Sequence, residues 1–258
     1  MQDIKPKITL VGAGPGDPEL ITVKGLKAIQ EAKVILYDAL SNNELLEHAS
    51  ASCLKRYVGK RAGMHVYSQD EINHMIVQYA LAYGSVVRLK GGDSFVFGRG
   101  QEEIAYARQF DIAAEVVPGI TSAIAVPGMS QIPVTARNVS EGFWVITGTT
   151  QKGNLSRDLQ FAIQANTTVV ILMGMSKLAD ITAAYAAQGK GNTPAAIIQN
   201  GTLPTQRLGL GNVADLELIA EKNHLRNPAI IVIGEVVRFH EAFQHLQTQI
   251  AADLKLAV

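Results

Sequence analysis

Two glycine-rich segments, each placed directly after a short apolar run, constrain the fold of this chain more than any other feature of its sequence. Gly12–Asp17 follows the run Lys7–Val11 (KITLV), and Gly91–Asp93 follows Val86–Leu89 (VVRL). Short β-branched runs that end in glycine are typical of strands that enter a tight turn before a helix. Ligands of parallel α/β sheets bind beyond the carboxyl ends of the strands. The sequence therefore predicts a parallel sheet whose glycine-rich loops line a ligand site.

The first half of the chain alternates strand-like runs with helical stretches. Further strands are expected at Val34–Tyr37 and Ala114–Val117, and helices at about 22–32, 68–82 and 100–110. Ser68 is expected to cap the second of these helices, with Glu71 three residues later completing a capping box. A strand followed by a helix and another strand predicts right-handed βαβ units and a parallel sheet.

The pattern breaks at Pro118–Gly119 and then resumes. A stretch of small residues, Ile120–Val126, is compatible with a helix, and two prolines interrupt Pro127–Pro133. Later strands are expected at Phe143–Thr147, Thr168–Met173, Ala195–Gln199 and Ala229–Gly234, and helices at about 157–165, 176–188, 212–221 and 238–253. We therefore expect two α/β domains, residues 1–117 and 118–258. Because glycine-rich segments of both halves follow strands, we expect the active-site cleft between the domains.

Composition excludes several classes of protein. The 258 residues are 47% apolar and 18% charged, which suits a chain that buries a core. The 23 basic and 23 acidic residues cancel, which argues against nucleic-acid binding driven by bulk charge. A single cysteine, Cys53, excludes a cysteine zinc cluster and suits a reducing cytoplasm. No apolar run reaches the ~18 residues that span a bilayer. We expect a cytoplasmic protein with no metal and no nucleic-acid or membrane partner.

The first glycine-rich segment, GAGPGDP at 12–18, has two interpretations. Glycines allow a sharp turn and a close approach of the backbone to a ligand. A dinucleotide fingerprint is one possibility, because Asp38 ends the second strand about where that fingerprint places its acidic residue. The spacing of the glycines departs from the fingerprint, and Pro15 and Pro18 stiffen the loop. This segment alone leaves a nicotinamide or flavin site and other ligands equally open.

The second segment, LKGGDSFVFGRG at 89–100, is longer and denser in polar groups. Gly91 and Gly92 leave backbone donors and acceptors open at a strand end, and Asp93 can accept hydrogen bonds from hydroxyl or amino groups. Arg99 offers a planar fork for a carboxylate. An ordinary strand-to-helix loop with Arg99 on the surface is the alternative.

Taken in order, five segments carry a family resemblance: GAGPGDPELITVKG, YVGKRAGMH, RLKGGDSFVFGRGQEE, EVVPGITSA and IPVTAR. Together they resemble the uroporphyrinogen-III C-methyltransferases of the tetrapyrrole methylase superfamily, over about residues 8–238. The resemblance implies two α/β domains with a mostly parallel N-terminal sheet and a mixed C-terminal sheet. It also implies a homodimer that transfers methyl groups from S-adenosylmethionine to C2 and C7 of uroporphyrinogen III, giving precorrin-2. Siroheme, cobalamin and haem d1 pathways all pass through that product.

The resemblance also assigns residues, position by position. The implied cofactor contacts are Pro15, Gly91, Gly92, Asp93, Val96, Thr121, Ser122, Met173, Pro228 and Ala229. The loop 199–202 is similar to a further segment on the cofactor side. Arg99, Glu102 and Arg137 match residues that handle the tetrapyrrole and are the implied catalytic residues. Independently of the resemblance, Asp38 and Asp17 are alternative bases because each follows a strand end. The two arginines are expected to pair with substrate carboxylates, and Glu102 either orients Arg99, takes part in proton removal or forms a surface ion pair.

Some features depart from the family or stay open. Ser94 stands where many relatives have proline, Ser122 where many have alanine, and Ala39 where many have an arginine. The cations Lys55, Arg56, Lys60 and Arg61 are compatible with a solvated surface loop or with an anionic substrate. Three alternatives remain: a methylase of a later corrin precursor, a nicotinamide-dependent oxidoreductase and a non-catalytic adenosine-nucleotide module.

Overall fold

The computed structural model describes residues 5–59 and 67–243, and the chain divides into two compact units, Met1–Ser122 and Ala123–Val258. Each unit contains one five-stranded sheet. No helix among the described residues is both long and apolar enough to cross a bilayer.

The sheet of the first unit is parallel throughout, as predicted. Its strands are β1 (Lys7–Gly12), β2 (Val34–Tyr37), β3 (Leu54–Tyr57), β4 (Ser85–Lys90) and β5 (Ala113–Val117), in the order β3-β2-β4-β1-β5. Successive residues of one strand pack into different cores: Leu10 packs with helices on one face and Val11 with a helix on the other. Helices therefore cover both faces, and the carboxyl ends of all five strands lie along one edge.

The edge strand β3 was not predicted. Its sequence, LKRY, is polar, and Lys55 and Arg56 are exposed, as the surface interpretation expects, but they lie on a strand rather than in a loop. Pairing with β2 on one side only explains why a strand of this composition forms. Lys60 and Arg61, with the rest of the KRAGMH segment to residue 65, lie outside the described residues.

The helices of the first unit begin close to where the sequence places them. They are α1 (Val23–Glu31), α2 (Gln69–Tyr83) and α3 (Gly100–Arg108). The capping box of α2 is confirmed, since Ser68 Oγ accepts a 3.2 Å bond from Glu71 N and Glu71 Oε2 accepts a 2.7 Å bond from Ser68 N. Thr22 caps α1 by accepting a 3.0 Å bond from Gly25 N.

The sheet of the second unit is mixed, as expected. Its strands are β6 (Phe143–Thr147), β7 (Thr168–Leu172), β8 (Pro194–Gln199), β9 (Arg207–Asn212) and β10 (Ala229–Ile233), in the order β6-β7-β10-β8-β9. Only the β6–β7 pair is parallel. Strand β9 was not predicted, because Gly209 and Gly211 weaken its strand pattern. A Cβ at either glycine would lie within 2.5 or 2.7 Å of Ile219, so the glycines allow a helix to pack closely against this strand.

The helices of the second unit are α4 (Ser122–Met129), α5 (Leu159–Gln164), α6 (Leu178–Ala186) and α7 (Leu216–Lys222). The helix expected over Ile120–Val126 is confirmed as α4, but it begins at Ser122 and continues through the buried Pro127 to Met129. The helix predicted at 238–253 is preceded by a 3₁₀ turn, Glu235–Phe239, and its residues beyond 243 lie outside the described part.

Candidate functional site

The two glycine-rich segments of the first unit are hydrogen-bonded to each other at the carboxyl ends of β1 and β4. Gly92 N donates to Gly14 O at 2.7 Å, and Gly14 N donates back to Gly92 O at 3.2 Å. Ala13 N donates to Lys90 O at 2.7 Å. The structure therefore brings together the two segments that the sequence singled out.

The loop that follows β5 packs against both of these glycine-rich segments. A Cβ on Gly12 would lie 2.4 Å from Gly119 N, and one on Gly119 would lie 2.3 Å from Gly92 O. Real Cβ atoms do not approach other heavy atoms this closely, so glycine is required for the contact. We call Gly12, Gly92 and Gly119 the glycine junction.

Asp93 stabilises this junction. Its Oδ2 accepts a 3.0 Å bond from Gly119 N, and its Oδ1 accepts a 2.8 Å bond from Phe95 N. A carboxylate has about four acceptor positions, so each oxygen keeps room for one more donor. Asp93 thus fixes its loop and can still receive a hydrogen bond from a ligand.

The other predicted cofactor contacts of the first unit lie around the junction. Gly91 packs against Leu40, whose Cβ would lie 2.4 Å from a Cβ on that glycine. Ser122 N would lie 3.9 Å from a Cβ on Gly92, and Val96 N donates to Asp93 O at 3.3 Å. Pro15, Val96, Thr121 and Ser122 are all partly exposed and therefore accessible within this unit.

The segment after the first glycines does not have the form of a dinucleotide site. The glycines lead into a short 3₁₀ turn, Pro18–Leu20, capped by Asp17, whose Oδ1 accepts a 2.9 Å bond from Glu19 N. Helix α1 begins only at Val23. A dinucleotide fingerprint needs the helix N-terminus directly at the glycines, where it binds the pyrophosphate. The local structure therefore disfavours the nicotinamide interpretation.

Arg99 and Glu102 form a bidentate ion pair at the start of α3. Arg99 Nε and Nη2 donate to the two carboxylate oxygens of Glu102, each at 2.7 Å, and both side chains are 52% exposed. The hydrogen bond from Arg99 lowers the pKa of the Glu102 carboxyl, and the same bond raises the pKa of Arg99. Glu102 is therefore ionised and orients the guanidinium, whose Nη1 has no hydrogen-bond partner in residues 5–59 and 67–243.

A buried charge cluster, of which the sequence analysis named only Asp38, lies beside this pair. It consists of Asp38, Arg88, Lys90 and Glu103. Glu103 is fully buried, and its Oε1 accepts bonds from Arg88 Nε at 3.1 Å and Lys90 Nζ at 3.0 Å. Arg88 Nη2 lies 3.4 Å from Asp38 Oδ2. The signal in the sequence is the pair of charges at alternate positions of an apolar strand, Arg88 and Lys90, which requires a buried anion.

Burial and neighbouring charges change the pKa of Lys90 in this cluster. Burial, followed by the neighbouring charge of Arg88, lowers the pKa of Lys90, and the attraction of Glu103 opposes this change. Glu103 Oε2 is buried without a hydrogen-bond partner among the described residues.

Asp38 connects the cluster to the exposed edge of the sheet. Its Oδ1 accepts bonds from Leu40 N at 3.1 Å and Ser41 Oγ at 3.3 Å, and its side chain is 25% exposed. Asp38 therefore both caps its own loop and presents a carboxylate at the end of β2.

The second unit gathers the remaining predicted cofactor contacts at one edge of its sheet. Met173, 49% exposed, follows β7 with a positive φ of 56°, and its carbonyl accepts a 3.0 Å bond from Thr149 Oγ1. Pro228 O accepts a 3.0 Å bond from Asn200 N, and Ala229 pairs with Gln199. Because Leu172 pairs with Ile230, these segments share one edge.

Arg137 stands apart from these contacts. It is exposed on a tight turn closed by two bonds between Ala136 and Ser140, of 3.0 and 2.9 Å. Its guanidinium has no partner within the described ranges. Those ranges also contain no group of three or more His, Cys, Asp or Glu side chains arranged to hold a metal ion.

Comparison with known proteins adds a family. The sequence model of the tetrapyrrole (corrin/porphyrin) methylases matches residues 7–217. The chain is 48% identical over 233 residues to a uroporphyrinogen-III C-methyltransferase of Methanocaldococcus jannaschii, covering 90% of this chain and 96% of that protein. It is 44% identical over 252 residues to a siroheme synthase of Actinobacillus pleuropneumoniae serotype 7, covering 94% of this chain but 51% of that protein. The chain thus spans about half the length of that siroheme synthase.

The fold is also similar to that of a solved structure. The uroporphyrin-III C-methyltransferase of Thermus thermophilus, crystallised with S-adenosylhomocysteine, superposes with a TM-score of 0.78 at 36% identity. The match covers 90% of this chain and 99% of the other.

Proposed function

The chain belongs to the tetrapyrrole (corrin/porphyrin) methylases, and from this membership we propose that it transfers methyl groups from S-adenosylmethionine to C2 and C7 of uroporphyrinogen III. The products would be precorrin-2 and S-adenosylhomocysteine. The observation that carries the proposal is the 48% identity, over 96% of the relative's length, to a uroporphyrinogen-III C-methyltransferase.

The glycine junction supports a site for the methyl donor. The junction brings together the loops that follow β1, β4 and β5, because no side chain separates them at Gly12 or Gly119, and Asp93 keeps acceptor positions for an amino or hydroxyl group. We assign the methyl donor to ten residues. Those of the unit Met1–Ser122 are Pro15, Gly91, Gly92, Asp93, Val96, Thr121 and Ser122, and those of the unit Ala123–Val258 are Met173, Pro228 and Ala229. S-adenosylmethionine supplies an electrophilic methyl group, and the protein's contribution is orientation, which can supply about 7–11 kcal/mol of the barrier.

The exposed Arg99 supports a role in binding the macrocycle. Uroporphyrinogen III carries eight carboxylates, and Nη1 of Arg99 is left to donate to one of them while Glu102 holds the guanidinium in place. Phe95 and Phe97, both exposed on the same loop, offer apolar contact to a flat ring system. Arg137, exposed and unpaired in the described ranges, is the second cation that we assign to the substrate.

We assign proton removal to Asp38 rather than to Glu102. The hydrogen bond from Arg99 lowers the pKa of Glu102, which makes Glu102 a weaker base. Asp38 is held by Arg88 and keeps part of its carboxylate exposed at a strand end.

We further propose a homodimer that works in the cytoplasm and supplies siroheme synthesis. The enzymes that the sequence resembles are homodimers, and a single cysteine suits a reducing compartment. The match to siroheme synthases favours that pathway over cobalamin synthesis. We place the active site in a cleft between the N-terminal domain, residues 1–117, and the C-terminal domain, residues 118–258.

Anaerobic turnover of uroporphyrinogen III with isotopically labelled methyl donor tests the proposal. Two labelled methyl groups per macrocycle are expected, together with one S-adenosylhomocysteine for each. Absence of transfer to uroporphyrinogen III, with transfer to a later corrin precursor, would replace it with the alternative substrate. Thermal shifts with NAD, NADP, S-adenosylmethionine and S-adenosylhomocysteine address the oxidoreductase alternative, and only the last two ligands are expected to stabilise the protein.

A further inference from the structure

A cavity of about 370 Å³ opens in the unit Ala123–Val258, beside the end of β8 and the beginning of β9. Its lining residues are Gln199, Asn200, Thr205, Arg207, His224 and Arg226. The volume is within the range of pockets that hold small organic molecules and exceeds the space that a single ion needs.

This cavity is on the opposite face of the sheet from α4. Gln199 pairs with Arg207, two residues beyond the pair Ile197 and Gly209. Alternate residues of a strand share a face, and Ile197 packs with Ile219 of α7. Gly201, in contrast, lies against Val126 of α4. The loop 199–202 therefore faces the cavity on one side and α4 on the other.

The hydrogen bonds around the cavity leave mainly donors to face a ligand. Gln199 Oε1 accepts a 2.5 Å bond from Arg226 N, which fixes the amide so that its NH₂ group remains available. Thr205 Oγ1 accepts a 3.2 Å bond from Asn200 Nδ2, so the hydroxyl hydrogen of Thr205 remains to be donated. Of the two amide oxygens that line the cavity, Asn200 Oδ1 remains available as an acceptor.

The charges around the cavity have one sign. Arg207 and Arg226 contribute two guanidinium groups, and neither has an ion-pair or hydrogen-bond partner in residues 5–59 and 67–243. Among the residues that the structure describes, no acidic side chain lines the cavity. Both arginines are exposed, and a bound polyanion could pair with the planar donor forks of both guanidinium groups.

We propose that this cavity binds a small organic polyanion, with at least two oxyanion charges paired to Arg207 and Arg226. Phosphate-bearing and polycarboxylate metabolites share the required chemistry. The amide NH₂ of Gln199 and the hydroxyl of Thr205 supply two further donors. The cavity shares Gln199 and Asn200 with the loop 199–202, which the family resemblance places on the cofactor side, but its lining contains neither the assigned cofactor contacts nor the assigned catalytic residues.

Calorimetric titration of the full chain with pyrophosphate and, separately, with citrate in low-salt buffer tests the proposal. At least one of the two anions is expected to bind with a Kd below about 1 mM. The variants Arg207→Ala and Arg226→Ala are each expected to weaken that binding roughly tenfold, since each removes a charge-assisted contact. The anion that binds more tightly identifies the source of the natural ligand as phosphate-bearing or polycarboxylate.

Arg157→Ala is the matched control, because Arg157 is an exposed arginine of the same unit that lies outside the cavity. Its anion affinity is expected to equal that of the wild type. The proposal is overturned if neither anion binds below about 1 mM. It is also overturned if all three variants bind alike, since attraction by net surface charge would then account for the binding. Circular dichroism checks that each variant is folded.

Discussion

The carboxylate of Asp93 holds the loop after β5 in place: its Oδ2 accepts a 3.0 Å hydrogen bond from the backbone N–H of Gly119. The second oxygen of the same carboxylate accepts a 2.8 Å bond from Phe95 N. One side chain therefore connects two of the three loops that meet at the glycine junction. The geometry explains why an acidic residue follows the two glycines, since both of its partners are donors.

Asp93→Asn should destabilise the protein by about 1–3 kcal/mol, because the NH₂ group of asparagine would face a backbone donor. Under the proposed function, affinity for S-adenosylmethionine should also fall, by roughly tenfold or more. Urea unfolding and calorimetric titration measure the two effects. Asp158→Asn is the control, since Asp158 is exposed and its carboxylate makes no hydrogen bond or ion pair among the described residues. Equal stability of the two variants would contradict the structural role.

Gly119→Ala should destabilise the first unit by at least about 2 kcal/mol, because its Cβ would lie 2.3 Å from Gly92 O. The contact is with backbone on both sides, so neither partner can rotate away. Thermal unfolding compares this variant with Gly128→Ala. A Cβ on Gly128 meets nothing within 4 Å, and this glycine lies in α4. Alanine there should be neutral or stabilising by up to about 1 kcal/mol. If the Gly119→Ala protein is as stable as the wild type, the close backbone contact between Gly119 and Gly92 is contradicted.

Local signals predicted much of the secondary structure. Strands β2 and β6 have the predicted bounds, and Ser68 caps α2 as expected, because apolar runs and capping residues act over a few positions. Strands β3 and β9 escaped prediction, since one is polar and the other contains two glycines. Their formation depends on pairing with a neighbouring strand and, for β9, on packing against a helix, which the residues of the strand alone do not reveal.

The sequence predicted Glu102 as a site residue but not its neighbour Glu103, because the direction of a side chain on α3 depends on tertiary packing. Glu102 and Glu103 are adjacent, and a step of one residue turns a helix by about 100°. Glu102 therefore points to solvent at 52% exposure, whereas Glu103 is fully buried against Arg88 and Lys90. A single sequence cannot distinguish two neighbouring glutamates, because the direction of each depends on how α3 packs against the sheet.

Arg99→Ala should reduce kcat/KM for uroporphyrinogen III by roughly 100-fold or more, because a substrate carboxylate loses its paired cation. Affinity for S-adenosylmethionine should stay within about twofold, since Arg99 is not among the assigned cofactor contacts. Steady-state kinetics and calorimetry measure the two quantities. Arg157→Ala again serves as the control for the loss of one exposed positive charge. Ordinary activity of Arg99→Ala would exclude the assigned role without affecting the cofactor site.

The buried charge cluster makes stability depend on pH in the alkaline range. Burial lowers the pKa of Lys90 in the folded protein, while the unfolded chain keeps the usual value of 10.5. Between the lowered pKa and 10.5 the unfolded state binds more protons than the folded state, so the free energy of unfolding should rise with pH across that window. Below the window both states are protonated, and above it neither is, so the contribution of Lys90 is then constant.

Lys90→Met removes the titrating group while keeping an unbranched side chain of similar length. Relative to this variant, the wild type should gain stability as the pH approaches 10.5 from below, and the difference should then level off. Urea unfolding from neutral to alkaline pH measures the difference. Lys152→Met, at an exposed lysine of the second unit, should give a curve parallel to the wild type. A parallel curve for Lys90→Met as well would show that Lys90 titrates alike in the folded and unfolded states, and that burial beside Arg88 does not disfavour its charge.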